Sequence, residues 1–117
     1  SRPSSEFRRL MLVNLPPYAA LSALESAAPL GAQEAVRSSL TRVLPGITFN
    51  DHGLGQYNGD DHSILMDLGA GPQVFAATID VTGEAAATAL RRLITQTGWR
   101  AYAPKLGRFI TAEDLRT

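Results

Sequence analysis

The stretch Gly59–Val81, GDDHSILMDLGAGPQVFAATIDV, constrains the fold more than any other. In Ser63–Leu68, the side chains of Ile64, Met66 and Leu68 fall on one face and those of Leu65 and Asp67 on the other. In Val74–Val81, Phe75, Ala77, Ile79 and Val81 share a face, while Thr78 and Asp80 point away. A period of two marks β-strands with one face buried. The link Gly69-Ala70-Gly71-Pro72-Gln73 has glycines for a turn and a proline that stops regular pairing. A chain built on such a hairpin needs further strands beside it and helices to cover its apolar face.

The flanking segments supply both. Ser1–Arg9 is polar and reads as a frayed end. Leu10–Leu15 is a short strand or the lead-in to a helix; periodicity does not separate the two. Pro16-Pro17 suits a helix start, and Tyr18, Leu21, Leu24 and Ala28 recur at helical spacing up to Pro29. That helix carries one charge, Glu25, so it is covered inside the domain or meets another chain, with Tyr18, Leu21 and Leu24 as its interface residues. Gln33–Leu44 reads as a second helix, with Val36, Leu40, Val43 and Leu44 as its apolar stripe and Pro45-Gly46 as its stop. Ile47–Phe49 is a short strand, and Leu54, Gln56 and Tyr57 another, with Asn58-Gly59 as a tight turn into the main pair. A third helix follows, capped by Thr82 with Glu84 in its first turn, with Ala86, Leu90, Leu93, Ile94 and Thr97 on one face and Gly98 after its end. Trp99–Ala103 and Arg108–Ile110 close the chain as strands, and Thr111 with Asp114 forms a capping box for a last turn. The expected order is α, α, β, β, β, β, α, β, β. The fold class is α+β: one domain over 1–117, an antiparallel sheet of about four to six strands with helices on one face, and 1–30 as an N-terminal extension or interface helix.

Composition narrows the function classes. The 117 residues are 44% hydrophobic with zero net charge, which fits one folded domain. There is no cysteine, so disulfide and thiol chemistry are excluded. No apolar run approaches the roughly 18 residues of a spanning helix, and Leu10–Leu15 is too short for a signal-peptide core. The expectation is a cytoplasmic protein that does not engage membranes. The charge is unevenly spread. Val43–Leu90 has no Lys or Arg but holds Asp51, Asp60, Asp61, Asp67, Asp80 and Glu84. Arg91, Arg92, Arg100, Lys105, Arg108 and Arg116 come after it. Either the two parts neutralise one another across the sheet, or an acidic face docks a basic partner.

Candidate chemistry is thin. His52 and His62 each flank aspartates, and imidazole with carboxylate can hold zinc or manganese. Asp51, His52, Asp60, Asp61 and His62 cannot all converge, because adjacent strand residues point to opposite faces. Asp60-Asp61 lacks the burial that an acid/base pair needs. Gly53-Leu54-Gly55 lacks the lysine and following helix of a phosphate loop. Ser63 sits in no nucleophile elbow. Trp99, Tyr102 and Phe109 interleave with Arg100, Lys105 and Arg108, a pattern that suits nucleic acid. Zero net charge and the adjacent acidic block favour core packing of Trp99 instead.

Five motifs carry a resemblance. They are Leu44-Pro45-Gly46-Ile47, Asp51-x-Gly53-x-Gly55, Gly59-Asp60-Asp61 running into Ile64–Leu68, Gly98-Trp99-Arg100-Ala101 and Gly107-x-Phe109-Ile110. Over Val43–Ile110, a little over half the chain, it resembles small uncharacterised bacterial α+β proteins of the immunity-protein kind, which bind and block a cognate toxin. The resemblance implies no cofactor and no catalytic residues. The resulting expectation is a non-enzymatic protein-binding domain that presents Asp51, Asp60 and Asp61 to a basic protein, such as a toxin. The alternatives are a small-ligand or metal-binding domain using His52 and His62, and a homodimer or larger oligomer joined through Tyr18, Leu21 and Leu24.

Overall fold

The two strands of the organising stretch pair antiparallel in the computed structural model, which describes residues 8–83 and 86–115. Nine strands and two α-helices are described. They run β1 (Arg9–Val13), β2 (Gly31–Ala32), α1 (Gln33–Val43), β3 (Thr48–Phe49), β4 (Leu54–Asn58), β5 (Ser63–Asp67), β6 (Gln73–Val74), β7 (Ala77–Thr82), α2 (Ala86–Thr97), β8 (Arg100–Ala103) and β9 (Arg108–Ile110). Short 3₁₀ helices occupy Leu21–Ser26 and Ala112–Leu115. Seven strands form one antiparallel sheet in the order β3-β4-β5-β7-β1-β8-β9, and β2 pairs with β6 in a second, small sheet. The main sheet is larger than the four to six strands expected.

Side-chain alternation sets the layers. Leu10, Leu12, Ile64, Met66, Ala77, Ile79, Ala101 and Ile110 are buried on one face, where they join Val36, Leu40 and Val43 of α1 and Ala86, Leu90 and Leu93 of α2 in one apolar cluster. Register keeps the pattern in phase: Leu10 lies opposite Ile79, Leu12 opposite Ala77 and Ala101, and Ile64 opposite Val81. The expected stripe of the second helix is buried, Leu44 included. Its chain exits where Leu44 N–H bonds the Leu40 carbonyl, and α2 ends where Gly98 N–H bonds the Ile94 carbonyl. Glu84 and Arg116, to which capping and charge roles fell, lie outside the described residues.

Of the two alternatives for Leu10–Leu15 the strand is found: Arg9–Val13 forms β1, interior to the sheet. Three local expectations are corrected. The Tyr18–Ala28 segment is not an α-helix, and none of its 3₁₀ residues is buried. The reason is geometric. Asn14 bridges Ala28, and Asn14 Nδ2 donates to the Pro29 carbonyl at 3.0 Å, so the segment starts and ends at one place. An α-helix over eleven residues would carry the chain about 16 Å away. The strand expected at Val74–Val81 breaks at Phe75-Ala76, because Val74 pairs with Gly31 in the small sheet. Phe75 leaves the buried face and is 66% exposed. The tight turn at Asn58-Gly59 is instead a four-residue loop, Gly59–His62, closed by Gly59 N–H on the His62 carbonyl at 2.8 Å. The observed order therefore begins β, not α, α.

The C-terminal turn is built as its capping pattern implies. The Asp114 carboxylate accepts from Thr111 N–H at 2.8 Å and from Arg108 at 3.1 and 3.2 Å. The Arg108 hydrogen bond is the chief cause that holds the Asp114 carboxyl below the usual carboxylate range. The fold thus favours the ionised form. That stabilisation is complete above the ordinary carboxyl value of about 4 and drains away as pH falls below it. Asp114→Asn should therefore lower the melting temperature at pH 7 and leave a smaller gap to wild type at about pH 2.5. A gap independent of pH would contradict this assignment. In the core, Leu10→Ala or Ile79→Ala should cost about 2–5 kcal/mol by urea unfolding. Leu65→Ala, on the uncovered face and 50% exposed, should cost well under half of that.

Candidate functional site

The strands β3, β4 and β5 form a meander whose two loops carry the sequence-predicted site residues. In the first loop, the Asn50 side-chain oxygen accepts from His52 N–H at 2.9 Å and Leu54 N–H at 3.0 Å. This is the aspartate/asparagine turn chemistry in which a side chain replaces a backbone acceptor. Gly53 closes the loop with φ +80°, and its carbonyl accepts from Leu68 N–H at 2.9 Å. A Cβ at Gly53 would collide with the Gly69 carbonyl. The loop is thereby clasped to the glycine-rich link. That link is held in turn by Gln33, whose Nε2 donates to the Gly69 and Gly71 carbonyls. Asp51 and His52 stay exposed at its tip.

The second loop is Gly59–His62. Asp60 and Asp61 are exposed, while the His62 ring folds inward. It lies against Gly59, where any Cβ would collide with the imidazole, and 5.7 Å from the Tyr57 ring. Both His62 ring nitrogens are covered and have no hydrogen-bond partner among the described residues. The Asp61 carbonyl abuts Gly83, which ties the loop to the end of β7.

These loops stand at opposite ends of β4, separated by five strand residues or roughly 17 Å. The structure brings Asp60 and Asp61 together and keeps Asp51 apart from them. His52 and His62 are separated in the same way. Among the described residues, no group of three or more His, Asp or Glu is arranged to hold a metal ion. Tyr18 and Leu21 are 89% and 44% exposed, and Leu24 is half-buried.

Among the described residues the ion pairs are Arg9–Asp80 at 2.9 Å and Arg108–Asp114 at 3.1 Å. Neither joins the acidic segment to the cations that follow it in sequence. Asp67 is satisfied locally, by Gly69 N–H at 2.9 Å. Asp51, Asp60 and Asp61 make no ion pair with a described residue. Arg37 of α1 approaches the first loop: it donates to the Asn50 carbonyl at 3.0 Å and stacks over Phe49 at 5.2 Å. Its role there was not visible in the sequence, where it is one polar residue on the outer side of an amphipathic helix. Among the described residues Asp60 and Asp61 have no such neighbour bonded to their loop, so the second loop is the less compensated of the two.

The aromatic and basic residues near the C-terminus separate as well. Trp99 is half-buried and packs against the core. Tyr102 meets Phe109 edge-on at 6.0 Å, and Arg100 stacks over Phe109 at 4.3 Å while donating to the Pro16 and Pro17 carbonyls. Arg100 and the two rings are thus committed to internal contacts on the uncovered face. No protein-family model, curated protein or solved structure matches the chain. No described helix is long and apolar enough to cross a membrane.

The clasp gives a direct test of loop rigidity. Gly53→Ala should destabilise the protein by more than about 2 kcal/mol, through both its φ and the Gly69 collision. Gly46→Ala, also at positive φ but with nothing within 4 Å, should cost only about 1 kcal/mol. Equal costs in urea unfolding would show that the loops are not clasped.

Proposed function

We propose that this chain is a non-enzymatic protein-binding domain that offers the Gly59–His62 loop to a basic protein surface, with an immunity-type inhibitor of a basic toxin as its specific form. The observation that supports this reading is the state of Asp60 and Asp61. Two adjacent carboxylates are exposed on a loop anchored by Gly83 and the inturned His62, and no described residue ion-pairs with them. A fixed, uncompensated charge pair of this kind accelerates encounter with a cationic partner and selects against acidic ones. Asp51, at the other end of β4, makes a second and separate acidic point.

The test pairs affinity capture with kinetics. Wild type and an Asp60→Asn/Asp61→Asn variant are used side by side as baits at low salt, and the captured protein is then measured as a purified pair. The variant should associate about three- to tenfold more slowly at low salt, with a flatter salt dependence and little change in dissociation. A partner that binds both proteins with the same kinetics, or no partner for either, would overturn the reading.

A further inference from the structure

The end of the sheet that carries the Gly59–His62 loop also carries a cationic cleft. Here β1 begins, β7 ends, and the turn after β8 leads into β9. A cleft of about 320 Å³ opens between Arg8, Arg9 and Lys105 on one side and Asp80, Val81 and Thr82 on the other. Its three cations come from two stretches far apart in sequence, brought together because β1 sits between β7 and β8. Val81 N–H donates to the Arg8 carbonyl at 2.8 Å, which fixes the backbone of Arg8 against β7.

The charges do not cancel. Asp80 Oδ1 accepts from Arg9 Nε at 2.9 Å, which neutralises one cation and orients its guanidinium. That bond uses the Nε–H of Arg9 and leaves the terminal nitrogens with no partner among the described residues. The side chains of Arg8 and Lys105 likewise make no ion pair with a described residue. Asp60 and Asp61 stand at the same end of the sheet but do not line the cleft. Among the described residues, two of its positive charges are therefore uncompensated.

We propose that this cleft binds a phosphate group, either free or as the terminal phosphomonoester of a small molecule. An oriented guanidinium fork matches the paired oxygens of an oxyanion, and a lysine adds a point charge beside it. A phosphomonoester carries about −1.5 to −2 near neutral pH, which matches the charge to be balanced; a single carboxylate would leave half of it. Thr82, whose side chain carries a hydroxyl donor, is also among the lining residues. The volume is at the lower end of the range of about 300–1,000 Å³ for small-molecule sites, so the group attached to the phosphate is small.

The test is an amide NMR titration of the whole chain with inorganic phosphate and, separately, with phenyl phosphate, at ionic strength held constant with chloride. Saturable shifts should be centred on Arg8, Arg9, Val81, Thr82 and Lys105. Arg8→Ala and Lys105→Ala should each weaken binding about five- to tenfold. Both residues are exposed, so these variants keep the wild-type spectrum elsewhere. Tighter binding of phenyl phosphate identifies an ester as the ligand; equal binding identifies the free anion. Shifts that rise linearly without saturating, that spread equally to Arg91 and Arg92, or that persist in both variants would overturn the proposal.

Discussion

The insertion of β1 between β7 and β8 is the constraint on which the fold depends. Leu10 and Leu12 are less than 2% exposed; Leu10 lies opposite Ile79, and Leu12 sits between Ala77 and Ala101. Among the described strands, β1 supplies all the sheet pairing between the β3-β4-β5-β7 half and the β8-β9 half. It also dictates where a helix goes. Both β7 and β8 are antiparallel to β1, so they run parallel to each other, and a parallel pair needs a long crossover. That crossover is α2, whose buried side joins the same apolar cluster as the β1 leucines. Chain order is thus not kept in space: the first strand is the fifth of seven, inserted beside the central strand β7 of the hairpin that dominates the sequence.

The same insertion converts a pattern along the chain into a pattern across the molecule. The acidic stretch forms β3, β4, β5 and β7, and the basic stretch that follows forms the outer face of α2 and the strands β8 and β9. With β1 between them, direct pairing of the two stretches is geometrically remote, and the observed ion pairs are Arg9 with Asp80 and Arg108 with Asp114. Among the described residues, mutual neutralisation, the simpler of the two readings of the composition, does not occur through contact. The protein is neutral in sum and polar in layout.

What was legible in the sequence was legible through period. The alternation in Ser63–Leu68 and the stripe Val36, Leu40, Val43 and Leu44 each report a local repeat that burial enforces, and each came out as expected. The misreadings share a different cause: they involve partners far away in sequence. Leu10–Leu15 is ambiguous by itself and becomes a strand because Ala77–Asp80 and Arg100–Tyr102 flank it. Tyr18, Leu21 and Leu24 have helical spacing, yet the bridge between Asn14 and Ala28 closes the segment on itself. Phe75 obeys the alternation of its neighbours and still leaves the core, because Val74 is claimed by Gly31. For the site, the exposure of Asp60 and Asp61 comes from the structure, because polarity alone does not separate a solvated carboxylate from a paired one. The inward turn of His62 was not legible either, since it depends on the absence of a side chain at Gly59. The Arg8–Lys105 cleft is invisible in sequence because its cations come from opposite ends of the chain.

Two opposed charge centres now share one end of the sheet, and their spacing decides whether they act separately. The Asp61 carbonyl touches Gly83 just beyond β7, while Arg8 is fastened to β7 from the next strand over. The step from β5 across β7 to β1 is two strand spacings, or about 10 Å. At physiological ionic strength the screening length is about 8 Å. Each centre therefore presents its own field to a partner that comes into contact, and the two blur into a dipole only in dilute salt. A basic protein surface approaching the Gly59–His62 loop meets the carboxylates before it feels the arginines. For an anion at the cleft, the nearest charges are likewise the cations that line it and not the acidic loop beside it. Zero net charge thus places little restriction on what this end of the molecule recognises, because β1 and β7 hold the opposite charges one screening length apart.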